Sequence, residues 1–312
     1  MTVVALSGGV GGAKLASGLQ DILAPGELVV IANTGDDFEH LGLHIAPDID
    51  SVFYALAGLN DTERGWGRAG ETWACMAALG ALGGETWFNL GDQDLALHLE
   101  RTRRLRAGES LSQVMAALCE AAGIPTHILP MSETLVPTIV HTSDRGDLSF
   151  QHYFVREHCE PVVIGFTHQG ADAAALPAAL RKLRDVEAVI VCPSNPFISI
   201  APILAVPGMR EWLRSLGAPI VAVSPLIGGA AVKGPTAKMF SELGLAVTNA
   251  GLVAHYDGLL AGLVLDHADA DNVHDLPIAT AVTHTLMQSA NDRQRVAEIA
   301  LNLADAIREH RE

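Results

Sequence analysis

The sequence predicts an α/β protein with a Rossmann-like, mainly parallel sheet flanked by helices and a mostly helical insertion. Apolar residues 3–6 run into the glycine turn "SGGVGGAK", which precedes a helical pattern at about 14–23 and a second apolar run at 28–32. This strand–helix–strand order with a short crossover is typical of parallel sheets. Three later apolar runs, in 188–196, 219–229 and 258–266, each end in a loop and extend the same sheet.

The middle of the chain has a different character. Residues 63–125 carry apolar side chains at helical spacing in "ETWACMAALGALGG" and "SLSQVMAALCEAAG", without a strong strand pattern. Residues 126–165 then show short β-like runs such as "PTIVHT" and "LSFQHYFV". We therefore predict a core formed by 1–62 and 166–312, interrupted by a helical insertion with short strands at 63–165.

The composition excludes several classes of protein. A formal net charge of -16 argues against a nucleic-acid partner, because phosphate backbones are bound by exposed Lys and Arg. No apolar run approaches the length of a membrane span, and the first residues lack the basic flank of a signal peptide. The four cysteines show no ligand spacing and are expected to be reduced thiols. These features predict a cytoplasmic protein without nucleic-acid or membrane partners.

The glycine turn resembles two phosphate-binding loops and matches neither. It lacks the Ser or Thr that follows the lysine of a P-loop, and Lys14 replaces the third glycine of the dinucleotide fingerprint. Amides at a helix N-terminus attract anions, and glycines allow a ligand to approach the main chain. We therefore predict phosphate or nucleotide binding at Gly9, Gly11, Gly12 and Lys14; the alternative is a plain tight turn.

Carboxylates follow the second predicted strand. "NTGDD" ends in Asp36 and Asp37, and "APDIDS" supplies Asp48 and Asp50. In an extended chain, residues two apart point to the same side, so these side chains are expected to form an oxygen cage for Mg²⁺, with Asp48 and Asp50 as the preferred pair. The alternative is a helix cap with solvated neighbours.

Three further loops carry candidate binding residues. "GDQDLALH" contains Asp92 and His98, for which helix capping and a structural role are the alternatives. "PSNP" offers Ser194 and Asn195, uncharged groups suited to the edge of a base, and "SPLIGGAAVKGP" offers Lys233 as a phosphate contact or a plain turn. No nucleophile elbow or HExxH motif is present, so metal-aided phosphoryl transfer is the reaction class best supported.

Nine segments in order resemble one family along almost the whole chain. They are "GGVGGAK", "NTGDD", "PDIDS", "RGWG", "GDQDLALH", "ILPMS", "PSNPFISI", "PGM" and "SPLIGG". The sequence is similar to the phospholactate transferases of deazaflavin coenzyme (coenzyme F-420) biosynthesis. The resemblance implies a Rossmann-like core with a largely helical insertion, and a homodimer.

The resemblance also implies an activity. The family transfers a phospho-three-carbon acid from a guanosine diphosphate-linked donor to the terminal ribityl hydroxyl of the deazaflavin precursor Fo, and GMP leaves. By matching positions, the glycine turn lies near phosphate or the acid, and Asp48 and Asp50 organise Mg²⁺. Asn33 and Asp37 border the deazaflavin, and Ser194 and Asn195 border the guanosine. The form "GGVGGAK" favours phosphoenolpyruvate over 2-phospholactate or 3-phosphoglycerate.

Two other functions are compatible with parts of this pattern. Nucleotide-sugar-binding regulatory proteins of related fold share the opening glycine loop, but a sensor does not need the acidic rim. An NAD-dependent dehydrogenase is disfavoured by Lys14 at the third glycine position and by two adjacent carboxylates where one acid would suffice.

Overall fold

The computed structural model describes residues 2–232 and 234–310, which form an α/β fold with one large sheet. The strands are β1 (Thr2–Ser7), β2 (Leu28–Ala32), β3 (Phe38–His40), β4 (Leu43–Ile45), β5 (His127–Pro130), β6 (Thr138–Thr142), β7 (Gly146–Ser149), β8 (Val163–His168), β9 (Val186–Val191), β10 (Ile220–Val223), β11 (Leu226–Ile227), β12 (Ala230–Ala231), β13 (Gly262–Asp266) and β14 (Ala279–Thr283).

The α-helices lie mostly between these strands. They are α1 (Gly9–Ile22), α2 (Pro47–Leu56), α3 (Ala74–Ala81), α4 (Asp92–Arg106), α5 (Leu111–Ala122), α6 (Ala178–Lys182), α7 (Ala201–Ala205), α8 (Met209–Ser215), α9 (Thr236–Glu242), α10 (Asn249–His255) and α11 (Ala290–Glu309). Two π-helical turns, His152–Arg156 and Pro196–Ile200, complete the parts that concern the site. Among the described residues, no helix is both long and apolar enough to cross a membrane.

Seven strands pair in parallel in the order β14-β13-β10-β9-β1-β2-β5. The chain builds outward from β1 to β5 and then returns to place β9 on the other side of β1. This reversal leaves a crevice beyond the carboxyl ends of β1 and β9, where ligands of such sheets bind. The predicted fold class, a parallel α/β sheet flanked by helices, is confirmed.

Alternate residues of β1 face two apolar layers. Val3 and Ala5 pack with α1, α2 and α11, while Val4 and Leu6 face the opposite layer. Side chains alternate across a strand, so a central strand covered on both faces is apolar throughout. This explains why the first apolar run was readable as a buried parallel strand.

The predicted insertion contains one strand of the central sheet. Residues His127–Pro130 pair in parallel with β2, so this part of 63–165 belongs structurally to the core sheet. The strand is only four residues long, too short for a clear pattern. The segment "LSFQHYFV" is also corrected, because β7 ends at Ser149 and a π-helical turn follows. The rest of the domain division stays a prediction.

Helix α1 begins earlier than the sequence indicated. It starts at Gly9 and not near residue 14, so most of the glycine turn forms the first helical turns. Gly9 has a positive φ of 64°, which an L side chain rarely adopts, and this bend joins β1 to the helix.

Gly18 allows α1 to approach α11 closely, and its replacement should destabilise the protein. A Cβ built at Gly18 would lie 2.3 Å from the carbonyl oxygen of Arg293. We expect Gly18→Ala to lower the free energy of unfolding by about 1 to 3 kcal/mol, because the helices must separate. Gly80→Ala is the control, since its Cβ would make ordinary contact at 3.5 Å. Equal urea unfolding curves for the two variants would contradict this packing argument.

Candidate functional site

The glycines of the first turn make room for protein atoms. A Cβ at Gly11 would lie 2.7 Å from the carbonyl oxygen of Pro193, and one at Gly12 would lie 2.5 Å from Ser194 Oγ. At Gly8 the obstacle is Asp48, whose Oδ2 would lie at 2.5 Å. The glycines therefore bring α1 against the loop after β9 and against α2, and this close approach closes the base of the crevice.

The polar side chains of the "PSNP" loop are engaged in holding this arrangement. Ser194 Oγ accepts from the Gly8 amide at 3.1 Å and donates to the Gly8 carbonyl at 2.8 Å. Asn195 Oδ1 accepts from the amide of Phe197 at 2.9 Å and its Nδ2 donates to Thr236 at 3.0 Å. Both residues thus have structural partners, and their predicted contact with guanosine stays a prediction.

Asp48 and Asp50 lie in the first turn of α2, so the predicted extended geometry is wrong. Pro47 at the start of the helix and two acids in its first turn favour a helix N-terminus. Residues two apart in a helix are rotated by about 200°. The two carboxylates therefore point in different directions and have different partners.

Asp48 points to the glycine turn. Its Oδ2 accepts from Asn33 Nδ2 at 2.8 Å, and its carboxylate also accepts from the Gly9 amide. The carboxylate is buried, and burial raises the pKa of Asp48 to about 6, while the bonds from Asn33 and Gly9 lower it. Asn33 thus orients Asp48 at the carboxyl end of β2.

Asp50 points to α4. Both of its oxygens bind the guanidinium of Arg101, at 2.5 Å and 2.9 Å. Across the described residues, one group of three metal-type ligands converges within 4.8 Å, namely Asp50, Asp94 and His98. Arg101 already supplies the positive charge there, with Nη2 2.6 Å from His98 Nδ1. The geometry therefore favours an ion pair over a metal centre at this position.

Asp36 and Asp37 lie buried at the end of β2 with unsatisfied oxygens. Asp36 Oδ2 accepts from Gln151 at 3.3 Å, whereas Oδ1 of both residues has no hydrogen-bond partner within the described chain. Burial, and then the charge of Asp48, holds the pKa of Asp36 well above its usual range. Burial also raises the pKa of Asp37, and Arg101 opposes this rise. Such a group of acids takes up either protons or a cation.

An open cleft adjoins Asp37. It has a volume of about 160 Å³, and it lies between the end of β2, the β3–β4 hairpin, α4, α5 and the loop after β5. Thr34 Oγ1 and His44 Nδ1 are buried atoms there that no described residue satisfies. Burial lowers the pKa of His44 to about 4, so its ring is neutral. The residues that line the cleft are Thr34, Asp37, His44, Leu105, Leu111, Ser132, Glu133, Thr134 and Leu135.

Three other predicted site residues lie away from this cleft. Lys14 Nζ donates to the carbonyl of Met287 at 2.8 Å, which ties α1 to the segment after β14. Asp92 accepts from the amides of Ala74 and Cys75 and so caps α3. His98 is 2 % exposed and belongs to the interior of the protein.

Two predictions concern the glycine-rich loop after β10. Lys233 lies outside the described residues. The amides of Gly228 and Gly229 donate to Asp269 at 2.9 Å and 3.2 Å, so this carboxylate holds part of the loop.

Sequence reasoning missed several residues of the site. Arg101 was detectable in principle, because Asp94, His98 and Arg101 share one helix face at spacings of four and three. Thr34 lies within "NTGDD", but an uncharged side chain gave no indication that it belongs to the site. Gln151, the residue before the π-helical turn, donates to Asp36 across 115 residues of sequence, and no sequence signal indicated this contact.

The fold and the site define a Rossmann-like α/β protein with a cluster of buried acids at the carboxyl end of its sheet. A family model of the 2-phospho-L-lactate transferase CofD matches residues 3–300. The chain therefore belongs to the CofD family and is a transferase of the phosphoacid type, in coenzyme F-420 biosynthesis.

Relatives of similar length agree with this assignment. A phosphoenolpyruvate transferase of Kitasatospora aureofaciens is 40% identical over 318 residues, covering 99% of both chains. A phosphoenolpyruvate transferase of Streptomyces coelicolor is 37% identical, covering 99% of this chain and 100% of the relative. A crystal structure of a UPF0052 family member from Bacillus halodurans superposes with a TM-score of 0.64 at 15% identity, covering 96% of this chain and 99% of that one. This last likeness shows the fold alone.

The raised pKa of Asp48 predicts a pH-dependent stability. The folded protein holds the Asp48 proton more tightly than the unfolded chain, so ionisation destabilises the fold as pH rises from 3.8 to about 6. Asp48→Asn removes this cost and should raise the free energy of unfolding at pH 7.5, by about 3 kcal/mol, but not at pH 3.5. Urea unfolding of the variant and of wild type at both pH values measures this difference in free energy of unfolding. Exposed Asp172→Asn is the control for loss of one carboxylate, and the same pH dependence in both variants would contradict the assignment.

Proposed function

We propose that the protein transfers a phospho-three-carbon acid from a guanosine diphosphate-linked donor to the terminal ribityl hydroxyl of Fo, releasing GMP. The names of the relatives favour phosphoenolpyruvate over 2-phospholactate and 3-phosphoglycerate as the acid. One observation carries the proposal: a buried acid cluster and a leucine-walled cleft without basic side chains among its described residues meet at Asp37. This arrangement offers separate places for a charged donor and a neutral ring.

The cleft suits the deazaflavin ring of the acceptor. None of the described residues that line it is a lysine or arginine, so it offers no counter-charge to a phosphate. Its leucines provide apolar walls, while Thr34, Asp37 and His44 provide hydrogen-bonding groups. Ligand sites commonly combine apolar walls with a few polar groups in this way. Asn33, held against Asp48, borders the same side of the site.

The acid cluster suits Mg²⁺ with a changed set of ligands. Mg²⁺ is usually held by one or two carboxylates together with water and substrate phosphate oxygens. Asp50 is committed to Arg101, whereas Asp36 retains an unpartnered buried oxygen. We therefore propose Asp48 and Asp36 as ligands in place of the pair Asp48 and Asp50. When bound, Mg²⁺ offsets the charge of the diphosphate and stabilises the GMP leaving group.

The remaining residues bind and orient the substrates. We place the donor diphosphate at the first turn of α1, where helix amides attract negative charge. The acceptor hydroxyl oxygen bonds to the phosphorus that carries the acid, and the bond from that phosphorus to the GMP oxygen breaks. Asp37 lines the cleft and its Oδ1 has no partner in the described chain, and we assign this carboxylate to accept the hydroxyl proton. We also expect a homodimer and a cytoplasmic location.

Turnover with synthetic donors tests the reaction. Guanosine diphosphate derivatives of the three acids are incubated with Fo, and products are identified by mass spectrometry. We expect GMP release and preferential use of the phosphoenolpyruvate donor. An adenosine donor serves as the control for the base. We expect turnover with it to be slower than with the guanosine donor by roughly tenfold or more, since an unpaired buried group costs about 1 to 3 kcal/mol. Nucleotide-sugar binding without any turnover would instead support the regulatory alternative.

Substitution of the acids tests the Mg²⁺ site. Asp48→Asn and Asp36→Asn should each lower kcat/KM by about 100-fold or more, because a catalytic metal supplies several kcal/mol. Asp92→Asn is the matched control: Asp92 caps α3 away from the cleft, so activity should be retained. A chelator should abolish wild-type turnover and Mg²⁺ should restore it. Full activity in the presence of the chelator would overturn the metal assignment.

A further inference from the structure

A fully buried arginine on α4 is hydrogen-bonded to none of the acids that we propose as metal ligands or proton acceptor. Arg101 is 0 % exposed and binds Asp50 through two parallel contacts, Nη1 to Oδ1 at 2.5 Å and Nη2 to Oδ2 at 2.9 Å. It also donates to the carbonyl of His44, from Nε at 3.3 Å and Nη2 at 3.1 Å. A buried guanidinium is tolerated only when it is paired and hydrogen-bonded, and here it is both.

The contacts of Arg101 continue through α4 to the other end of α2. A guanidinium only donates, so His98 Nδ1, 2.6 Å away, accepts and the ring proton is on Nε2. His98 Nε2 faces Asp94 Oδ2 at 3.2 Å. Asp94 Oδ1 accepts from the hydroxyl of Tyr54 at 2.5 Å. Helix α4 is thereby joined to α2 near its first turn, at Asp50, and near its last, at Tyr54.

The first of these junctions lies directly behind the site. Asp50 follows Asp48 by two residues in the same helical turn, and Asp48 accepts from Asn33 and from the Gly9 amide. A displacement of this turn therefore moves Asp48 relative to the glycine turn. Arg101 also favours the charged form of Asp37, so its charge reaches the acids at the end of β2.

We infer that Arg101 is a positioning residue: its two-pronged pair with Asp50 fixes the first turn of α2 and thereby the contact between Asp48 and Gly9. Its kinetic consequence rests on the proposed function. The competing explanation is that Arg101 serves only as the counter-ion of Asp50, with no effect on the site.

A double substitution separates these two explanations. Arg101→Met leaves Asp50 buried and unpaired and should lower the urea unfolding midpoint, whereas Arg101→Met combined with Asp50→Asn removes both charges and should recover much of it. Hydrogen exchange of the Gly9 amide, followed by NMR without ligands, reports the contact with Asp48. Arg103→Met is the matched control, because exposed Arg103 pairs with Glu100 on the same helix.

We expect the double variant to regain stability and yet to exchange the Gly9 amide about tenfold faster or more than wild type, because the local contact opens. Its kcat should fall by about 10- to 100-fold, as is usual when a residue supporting a reactive group is lost, with an unchanged KM for Fo. Arg101→Lys keeps the positive charge but loses the two parallel hydrogen bonds to Asp50. Its Gly9 exchange rate and its kcat should therefore lie between those of wild type and of the double variant.

Recovery of Gly9 protection together with stability in the double variant would overturn the inference and leave Arg101 a counter-ion. If Arg101→Met does not fold, the Arg101→Lys variant is measured in its place. Exchange of its Gly9 amide at the wild-type rate would contradict the positioning role, and faster exchange would support it. Absence of turnover by the wild-type protein would count against the proposed function alone, because the exchange measurement needs no substrate.

Discussion

Burial of four carboxylates in one region is the constraint on which the functional end of this structure depends. Asp36, Asp37, Asp48 and Asp50 are each 8 % exposed or less. A buried charge is costly unless it is paired. Among the described residues, the guanidinium of Arg101 pairs with one of these acids, Asp50, through hydrogen bonds to both carboxylate oxygens. The other three acids have no such partner among the described residues, so burial disfavours their charged forms. The pKa values of all three are raised by their burial.

Close packing at the glycine turn determines where these acids lie. Because Gly11 and Gly12 carry no Cβ, the loop after β9 can pack directly on the start of α1. Ser194 then bonds both polar atoms of the Gly8 backbone, and Asp48 accepts from the next amide. The glycines thus serve first as packing residues. Their contact with a phosphate stays a prediction.

The segment between the two halves of the fold completes the site. Helix α4 supplies Arg101, Gln151 just before the π-helical turn contacts Asp36, and Leu105 and Leu111 wall the cleft. Arg101 and Gln151 thus contact acids that lie on α2 and after β2. The cleft therefore lies between the Rossmann-like core and the intervening segment.

The sequence by itself determined the central strands, the parallel class of the sheet and the identity of the acids, because apolar runs and clusters of charge are local properties. It also located "NTGDD" at the end of β2 and the glycine turn after β1. Only the tertiary structure decided that "PDIDS" is helical, that Asp50 pairs with Arg101, and that β5 joins the sheet. Those facts depend on contacts between residues far apart in the chain. The start of a helix or a short strand leaves only a weak pattern in the local sequence. Its conformation is therefore decided by the residues that pack against it in the folded protein.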